Sequence, residues 1–515
     1  MNMGEIAFRT AVPFPLLGVL VALPLLLSAV LRKMSDSRRV YAVSLTGGAI
    51  ELGLTVLLLA RFQRGTSDLQ FVERVPLFGG LAYHVGVDGV SVLFLPLTAL
   101  LTLLVTLYAQ EVAKERPARY LSAIFALEAV LMGAFVSLDL LLFWVFSSLE
   151  LLPGFWLVRD WGTGSGRVAA ARRYAALNMM GVLLLLAGAL VIGRSAGAPP
   201  FTLTSLLAAD VPPKAQALAF WLMMLGFAVR IPIFPFHGWL PKVLEEGPVV
   251  GVSVFLVGAK LGAYGILRFV IPVLPEAAHR YSGTIAIFGV VGIVYGGLLA
   301  LVQTNLRRLV AFACLAHMGS VLVGLSSLNF EGLTGALLVT LNVGLSAAGL
   351  YFVAGFLHRR LGSTEVDRPT HYAPILALTF LLVGLSTIGM PGTSGFEAEH
   401  LVVVGALGAH RSAMAIAVGA GSLLGAAYLL RYFQRAFLAA AGGALAPTAT
   451  PMRPRLPDLR VREIIIAGAV AAVIVGLGLF SHPLLDVVGG SLRAMSEEVE
   501  TPRAPARVGS RNEAR

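Results

Sequence analysis

Five ionisable residues stand at mid-depth in long apolar runs: Glu150, Arg230, Lys260, His317 and Glu399. A charge placed in hydrocarbon costs several kcal/mol, so a chain that keeps a series of them on separate helices uses them on an ion path. The chemistry this series points to is movement of a proton or a cation.

Composition describes the elements that must hold such a series. Hydrophobic residues make up 57% of the chain and charged residues 13%, and apolar runs repeatedly reach the roughly 20 residues needed to cross about 30 Å of hydrocarbon. The expected fold is an all-α polytopic membrane protein with about 14 transmembrane helices. Read against Gly, Pro and charged breaks, the spans fall near 13–31, 40–60, 90–109, 120–137, 139–158, 174–193, 216–240, 248–271, 282–303, 308–328, 331–357, 372–408, 412–436 and 463–481. The first run lacks a small-residue cleavage site and reads as a retained helix. Residues 482–515 read as a polar, mobile tail.

The net charge of +11 does not require nucleic acid. The basic residues cluster in connections after odd-numbered spans: Arg32, Lys33, Arg38 and Arg39, then Lys114, Arg116 and Arg119, then Arg159, Arg167, Arg172 and Arg173, and further on Arg307, Arg308, Arg359, Arg360, Arg453, Arg455, Arg460 and Arg462. The positive-inside rule puts those connections in the cytoplasm and both termini on the non-cytoplasmic side. The single cysteine, Cys314, lies inside a span, so the chain has no cysteine framework for an iron–sulfur cluster, zinc or a disulfide. No Gly-rich strand–turn–helix fingerprint is present either. The expectation is no cofactor and no metal, with any redox chemistry belonging to partner subunits.

Two spans are interrupted in a matching way. The seventh contains Arg230, Pro232, Pro235, His237, Trp239 and Pro241; the twelfth contains Gly389, Pro391, Gly392 and Gly395. Proline removes backbone donors and frees carbonyls a turn earlier. Paired broken helices mark the repeated halves of transporters, although prolines in membrane helices are also common packing features. Breaks five spans apart imply inverted halves, spans 4–8 and 9–13. The corresponding organisation is an N-terminal three-helix region (1–110), a first half (111–275), a second half (276–440), a loop and last helix (441–481), and the tail (482–515).

The runs Val85-Gly-Val-Asp88-Gly-Val-Ser91, Phe236-His-Gly-Trp-Leu-Pro241, Lys260-Leu-Gly-Ala-Tyr264-Gly-Ile-Leu-Arg268-Phe, Gln303-Thr-Asn-Leu-Arg-Arg-Leu-Val-Ala311, Ala316-His-Met-Gly319, Gly344-Leu-Ser-Ala-Ala-Gly349 and Gly389-Met-Pro-Gly-Thr393 resemble the antiporter-like membrane subunits of respiratory complex I. Within that superfamily the resemblance is to the subunit M, or chain 4, branch, and it extends over nearly the whole chain apart from the C-terminal tail. It implies a proton-conducting polar axis. In such subunits a span-5 glutamate partners a span-7 lysine, a span-8 lysine passes the proton on, histidines in spans 10 and 11 continue the path, and a charged residue in span 12 faces the exit.

Lys260, His317 and Glu399 match that pattern. The span-7 lysine is replaced by Arg230; a desolvated lysine can surrender its proton, whereas a guanidinium does not. The span-11 histidine falls on Val343, beside Asn342, and the link then needs water or Ser346. The span-5 glutamate falls on Ser148, while the local sequence resembles Glu150. Two residues turn a helix by about 200°, so Glu150 serves only if span 5 is rotated or distorted. Glu128 in span 4 is a second candidate to compensate.

Each residue also has a plainer reading. Lys260, Tyr264 and Arg268 share one helix face as a polar stripe; Lys260 lies too deep to snorkel easily. His317 suits proton transfer near neutrality, yet a lone histidine is commonly a packing residue. His237 is either a relay or an anchor of the broken helix. Arg230 either fixes Glu150 or Glu128 as an ion pair or serves as a fixed positive element. Glu397 has no counterpart in the pattern and faces solvent or another subunit, and Asp88 and Asp139 read as helix-start or surface features.

The resemblance implies a proton-translocating subunit of an NADH:quinone oxidoreductase-type complex with no redox centre of its own. It would be partnered by other membrane-arm subunits, including antiporter-like paralogues, in a bacterial inner membrane or a thylakoid. Two alternatives stay open. One is an Mrp-type cation/proton antiporter subunit; the other is a structural paralogue with reduced pumping, for which Ser148, Arg230 and Val343 are the evidence.

Overall fold

The computed structural model describes residues 4–76, 82–113, 115–195, 201–251, 258, 260–365, 373–438 and 457–500. Lys114, Arg453, Arg455, most of the first half of span 8 and residues 501–515 lie outside the described residues.

In chain order the elements are β1 (Glu5–Ala7), α1 (Leu16–Arg32), α2 (Ser37–Arg61), β2 (Leu69–Pro76), β3 (Ala82–Val87), α3 (Phe94–Val112), α4 (Pro117–Val136), α5 (Leu140–Leu149), α6 (Leu151–Trp161), α7 (Arg167–Ser195), α8 (Leu203–Ala208), α9 (Pro213–Arg230) and α10 (Leu240–Glu246). They continue with α11 (Leu261–Gly265, extended by a wider turn Ile266–Val270), α12 (Pro275–Leu301), α13 (Leu306–Ser327), α14 (Phe330–Leu361), α15 (Pro374–Thr387), α16 (Ser394–Gly408), α17 (Ser412–Phe433), α18 (Val461–Leu479) and α19 (His482–Glu500). Among the described residues, ten helices are long and apolar enough to cross a membrane; Phe94–Gln110, Leu261–Val270 and Pro374–Thr387 are shorter apolar helices.

Burial divides these helices into a centre and a rim. The apolar windows of α13 and α14 are 100% and 94% buried, against 28% for α17 and α18, so the two helices that carry His317 and Asn342 form the core. Between apolar helices in lipid, close packing rather than hydrophobic burial drives association, and small residues permit it. Gly289 on α12 has its missing Cβ position only 2.7 Å from the Gly319 carbonyl. That contact lies two residues beyond His317 and fixes the rotation of α13. Gly226 meets the Gly181 carbonyl of α7 at 2.7 Å in the same sense, one turn before Arg230.

Two expectations need correction. The fold is not all-α: a three-stranded sheet, ordered β1-β2-β3, joins β1 parallel to β2 and β2 antiparallel to β3. Glu73 on β2 accepts hydrogen bonds from Leu17 N (2.8 Å) and Gly18 N (3.0 Å), so a carboxylate on the sheet satisfies free donors in the first turn of α1, where the helix dipole favours it. The segment read as a polar tail folds from His482 to Glu500 into α19. Val488 and Leu492 on it are fully buried, Ser491 Oγ accepts from Gly89 N at 3.0 Å, and Arg493 lies over the Phe330 ring at 5.3 Å. Its polar residues occupy one face of an amphipathic helix, which a composition count averages away.

Candidate functional site

Three helix interruptions build the site. α9 stops at Arg230, where Pro232 and Pro235 cannot donate; Ile233 N bonds back to Ala228 O at 3.0 Å and the Trp239 indole donates to the Val229 carbonyl at 2.8 Å. A side chain beyond the break thus satisfies a carbonyl the break released. The second interruption separates α15 from α16, with Gly389 (φ 68°) and Gly392 (φ 85°) in the left-handed region that favours glycine. Asn342 of α14 spans it. Its Oδ1 accepts from Ser386 Oγ (2.9 Å) and Ser394 Oγ (2.7 Å), and its Nδ2 donates to Ser386 O (3.1 Å).

The third interruption lies between α5 and α6, at Glu150 itself. Pro153 leaves the carbonyl of residue 149 without its usual helical donor, while Glu150 itself keeps helical dihedrals and bonds to Phe146 O at 3.1 Å. Ser148 turns its hydroxyl onto Trp144 O at 2.7 Å. Glu150 faces Arg230.

The Arg230 guanidinium pairs with the Glu150 carboxylate through Nη2 and donates to Ser147 O at 3.1 Å through Nη1. Arg230 is 2% exposed and Glu150 3%. The missing Cβ of Gly258 would fall on the Glu150 carboxylate, so a glycine in span 8 opens the space that carboxylate occupies. Lys260, two residues further and 1% exposed, points at α13, with Nζ 4.0 Å from Met318 Sδ. Among the described residues no carboxylate lies within ion-pair distance of it. His317, adjacent to Met318, has Nδ1 3.5 Å from Glu399 Oε1. Glu399 Oε2 accepts from Ser422 Oγ of α17 at 2.5 Å, and Gly389, whose Cβ would lie 2.9 Å from that oxygen, leaves room for it.

The structure therefore brings together Glu150 with Arg230 and His317 with Glu399, and places Lys260 between the two pairs. Several expectations change. Glu128 does not reach Arg230, which is taken by Glu150. Val343 stands where the resemblance expects a histidine, and neither water nor Ser346 is what brings His317 to Glu399: the two approach to 3.5 Å, while Ser346 donates to its own helix at Asn342 O (2.8 Å). His237 packs against Phe234 (5.9 Å) and Tyr295 (5.2 Å), apart from the axis contacts. Asp88 is no surface residue: it is 1% exposed and forms a two-point clamp with Arg268 at 2.6 and 2.7 Å. Arg268 also donates to Tyr264, whose hydroxyl donates to Phe135 O, so the stripe from Lys260 ends in a closed clamp and not at a surface. Asp139 does begin a helix, accepting from Leu141 N and Leu142 N.

Sequence reasoning missed Ser422 and Glu51. A serine in an apolar helix carries no signal without its partner. Glu51 did have one, as a single carboxylate inside the 25-residue helix α2.

Comparison with known proteins identifies the family. A family profile described as NADH:quinone oxidoreductase/Mrp antiporter, transmembrane, matches residues 137–425. The chain is 31% identical over 488 residues to NADH-quinone oxidoreductase subunit M of Rickettsia typhi, covering 92% of this chain and 97% of the relative. It is 31% identical to NADH-ubiquinone oxidoreductase chain 4 of Marchantia polymorpha, covering 92% and 96%. In structure it is similar to a chain of respiratory complex I from Thermus thermophilus (TM-score 0.85, 27% identity, 94% and 100% covered). It shares its fold with a chain of the Mrp complex from Dietzia (TM-score 0.82, 23% identity, 94% and 99% covered). The chain belongs to the NADH:quinone oxidoreductase/Mrp antiporter family of transmembrane proteins, and the relatives compared over nearly its full length are subunit M and chain 4 proteins.

Proposed function

We propose that the chain is a proton-translocating membrane-arm subunit of a complex I-like NADH:quinone oxidoreductase assembly, working beside other antiporter-like subunits in a bacterial plasma membrane. The observation that carries this reading is the series Glu150–Arg230, Lys260, His317–Glu399, buried or nearly so on separate helices. Arg230 acts as the positive charge against which Glu150 is held. Loosening that pair changes the field at Lys260, two residues from the glycine that makes room for Glu150. The Lys260 proton moves to His317 through an intervening water, because the Met318 thioether that Lys260 faces cannot carry it. Glu399, steadied by Ser422, then receives it from the imidazole.

The finer architecture belongs to the same proposal. About 14 spans would form two inverted halves, residues 111–275 and 276–440, with both termini on the non-cytoplasmic side. The interruption after α9 and the one between α15 and α16 support it, each placing a buried charge beside free backbone.

The test uses the assembled complex in proteoliposomes. NADH oxidation by quinone should acidify or alkalinise the lumen in sodium-free buffer, and substitution of Glu399 by Gln should reduce that signal while quinone binding persists. Sodium-dependent proton exchange without an electron donor would instead favour the Mrp-type reading.

A further inference from the structure

Glu51 and Glu128 play no part in the axis, yet both are fully buried, and all four carboxylate oxygens lack a hydrogen-bond partner among the described residues. Replacing such a pair with apolar side chains would ordinarily leave a membrane bundle no less stable. Their positions are defined by close packing. The Cβ position of Gly48 lies 3.7 Å from Leu103 Cα, so α2 and α3 touch there, and Glu51 follows one turn further on the same face of α2. The Thr102 hydroxyl is buried beside Glu128 of α4, which in turn is within electrostatic range of Glu51. Ser44, two turns back along the same face of α2, is a further buried hydroxyl without a partner among the described residues.

No cation reaches this pocket from the elements packed around it, as far as the described residues go. α1 offers Ser28, bonded to Ser122 O at 2.8 Å, and carries Arg32 at its end. α3 offers Thr102, with Tyr108 nearly two turns away. The α5–α6 break offers Glu150, already held by Arg230, and β3 brings His84 only to the region beyond the end of α4, where its carbonyl accepts from Leu138 N.

We infer that Glu51 and Glu128 form a second proton-holding site, a carboxyl pair that retains at least one exchangeable proton at neutral pH and stores it beside the axis. Two carboxylates in one dry pocket cannot both stay ionised, and a proton between them supplies the hydrogen bond that the protein does not. The store lies next to the axis: Leu131, one turn along α4 from Glu128, is 3.3 Å from the Gly258 Cβ position on which Glu150 encroaches. The storage role rests on the proposed pumping function; the protonation of the pair does not.

The test is infrared spectroscopy of the assembled complex at neutral pH, comparing the wild type with Glu51→Gln, Glu128→Gln and the double variant, with NADH:quinone activity as the check on assembly. The expected result is a protonated-carboxyl C=O absorption, shifted in deuterium oxide, that disappears in the double variant. The two single-variant difference spectra should not sum to that of the double. An unchanged absorption in the double variant overturns the inference, and so do strictly additive single-variant spectra, which would mean two independent acids. Loss of this band in a double variant that still pumps at the wild-type ratio would overturn only the storage role.

Discussion

Arg230 and Glu150 pose the sharpest question at the scale of single residues, because removing either leaves the other charged and buried. Losing one partner of a buried pair costs about 3–5 kcal/mol. Arg230→Ala should therefore lower the thermal midpoint of the assembled complex and impair coupling. Arg230→Lys keeps a cation that can also deprotonate, so transport should be retained or improved; an assembled Arg230→Lys complex without transport, alongside an Arg230→Ala complex with normal transport, contradicts the assigned roles. The participants in this pair were only partly legible in the sequence. The family resemblance puts the span-5 glutamate position on Ser148, and only the structure shows that Glu150 is the carboxylate that meets Arg230. Lys260, His317 and Glu399 were legible because a charged residue in an apolar run has few structural excuses. Ser422 was not.

Helix interruptions govern the next scale. Asn342 makes three hydrogen bonds across the break between α15 and α16, and an unsatisfied buried polar group costs about 1–3 kcal/mol. Asn342→Leu should destabilise the assembled complex by that order and disturb Glu399, visible as a loss of proton transport larger than the loss of quinone reduction. Equal losses of both would point to simple misassembly. The sheet makes a separate prediction. His84 on β3 is 1% exposed, 3.3 Å from Glu5, and burial pushes its imidazole below the ordinary value, aided by Arg74 and opposed by Glu5 and Asp139. A depressed histidine value means that its contribution to stability is full above the unfolded value of about 6.5 and is lost as pH falls toward the folded one. The thermal midpoint should drop between about pH 7 and pH 5, and His84→Gln should flatten that drop; an equally steep drop in the variant removes His84 as its cause. The sheet itself escaped the sequence reading because β2 and β3 are short, β2 is bulged between Gln70 and Glu73, and they stand between apolar runs that read as spans.

For the whole molecule, a central pair, α13 and α14, buried almost throughout, is braced by rim helices and closed by α19. Apolar length revealed the helices, since hydropathy measures it directly; it did not reveal α19, whose stabilising contacts, Ser491 with Gly89 and His279 with Val499 O at 2.6 Å, span hundreds of residues. Truncation after residue 500 should leave assembly intact, whereas truncation after residue 481 removes the buried Val488, Leu492 and Met495, uncovers the surfaces they pack on and should abolish stable incorporation, as read by native gel and thermal unfolding. The proton axis is the central claim, and Lys260 is the residue on which its two paired ends depend. The direct measurement is the proton-to-electron ratio of the assembled Lys260→Ala complex in proteoliposomes. Loss of a positioned proton-transfer group slows such a step by about 100-fold or more, so the account predicts a full complement of subunits with the ratio clearly below that of the wild type. An assembled Lys260→Ala complex that pumps at the wild-type ratio contradicts it.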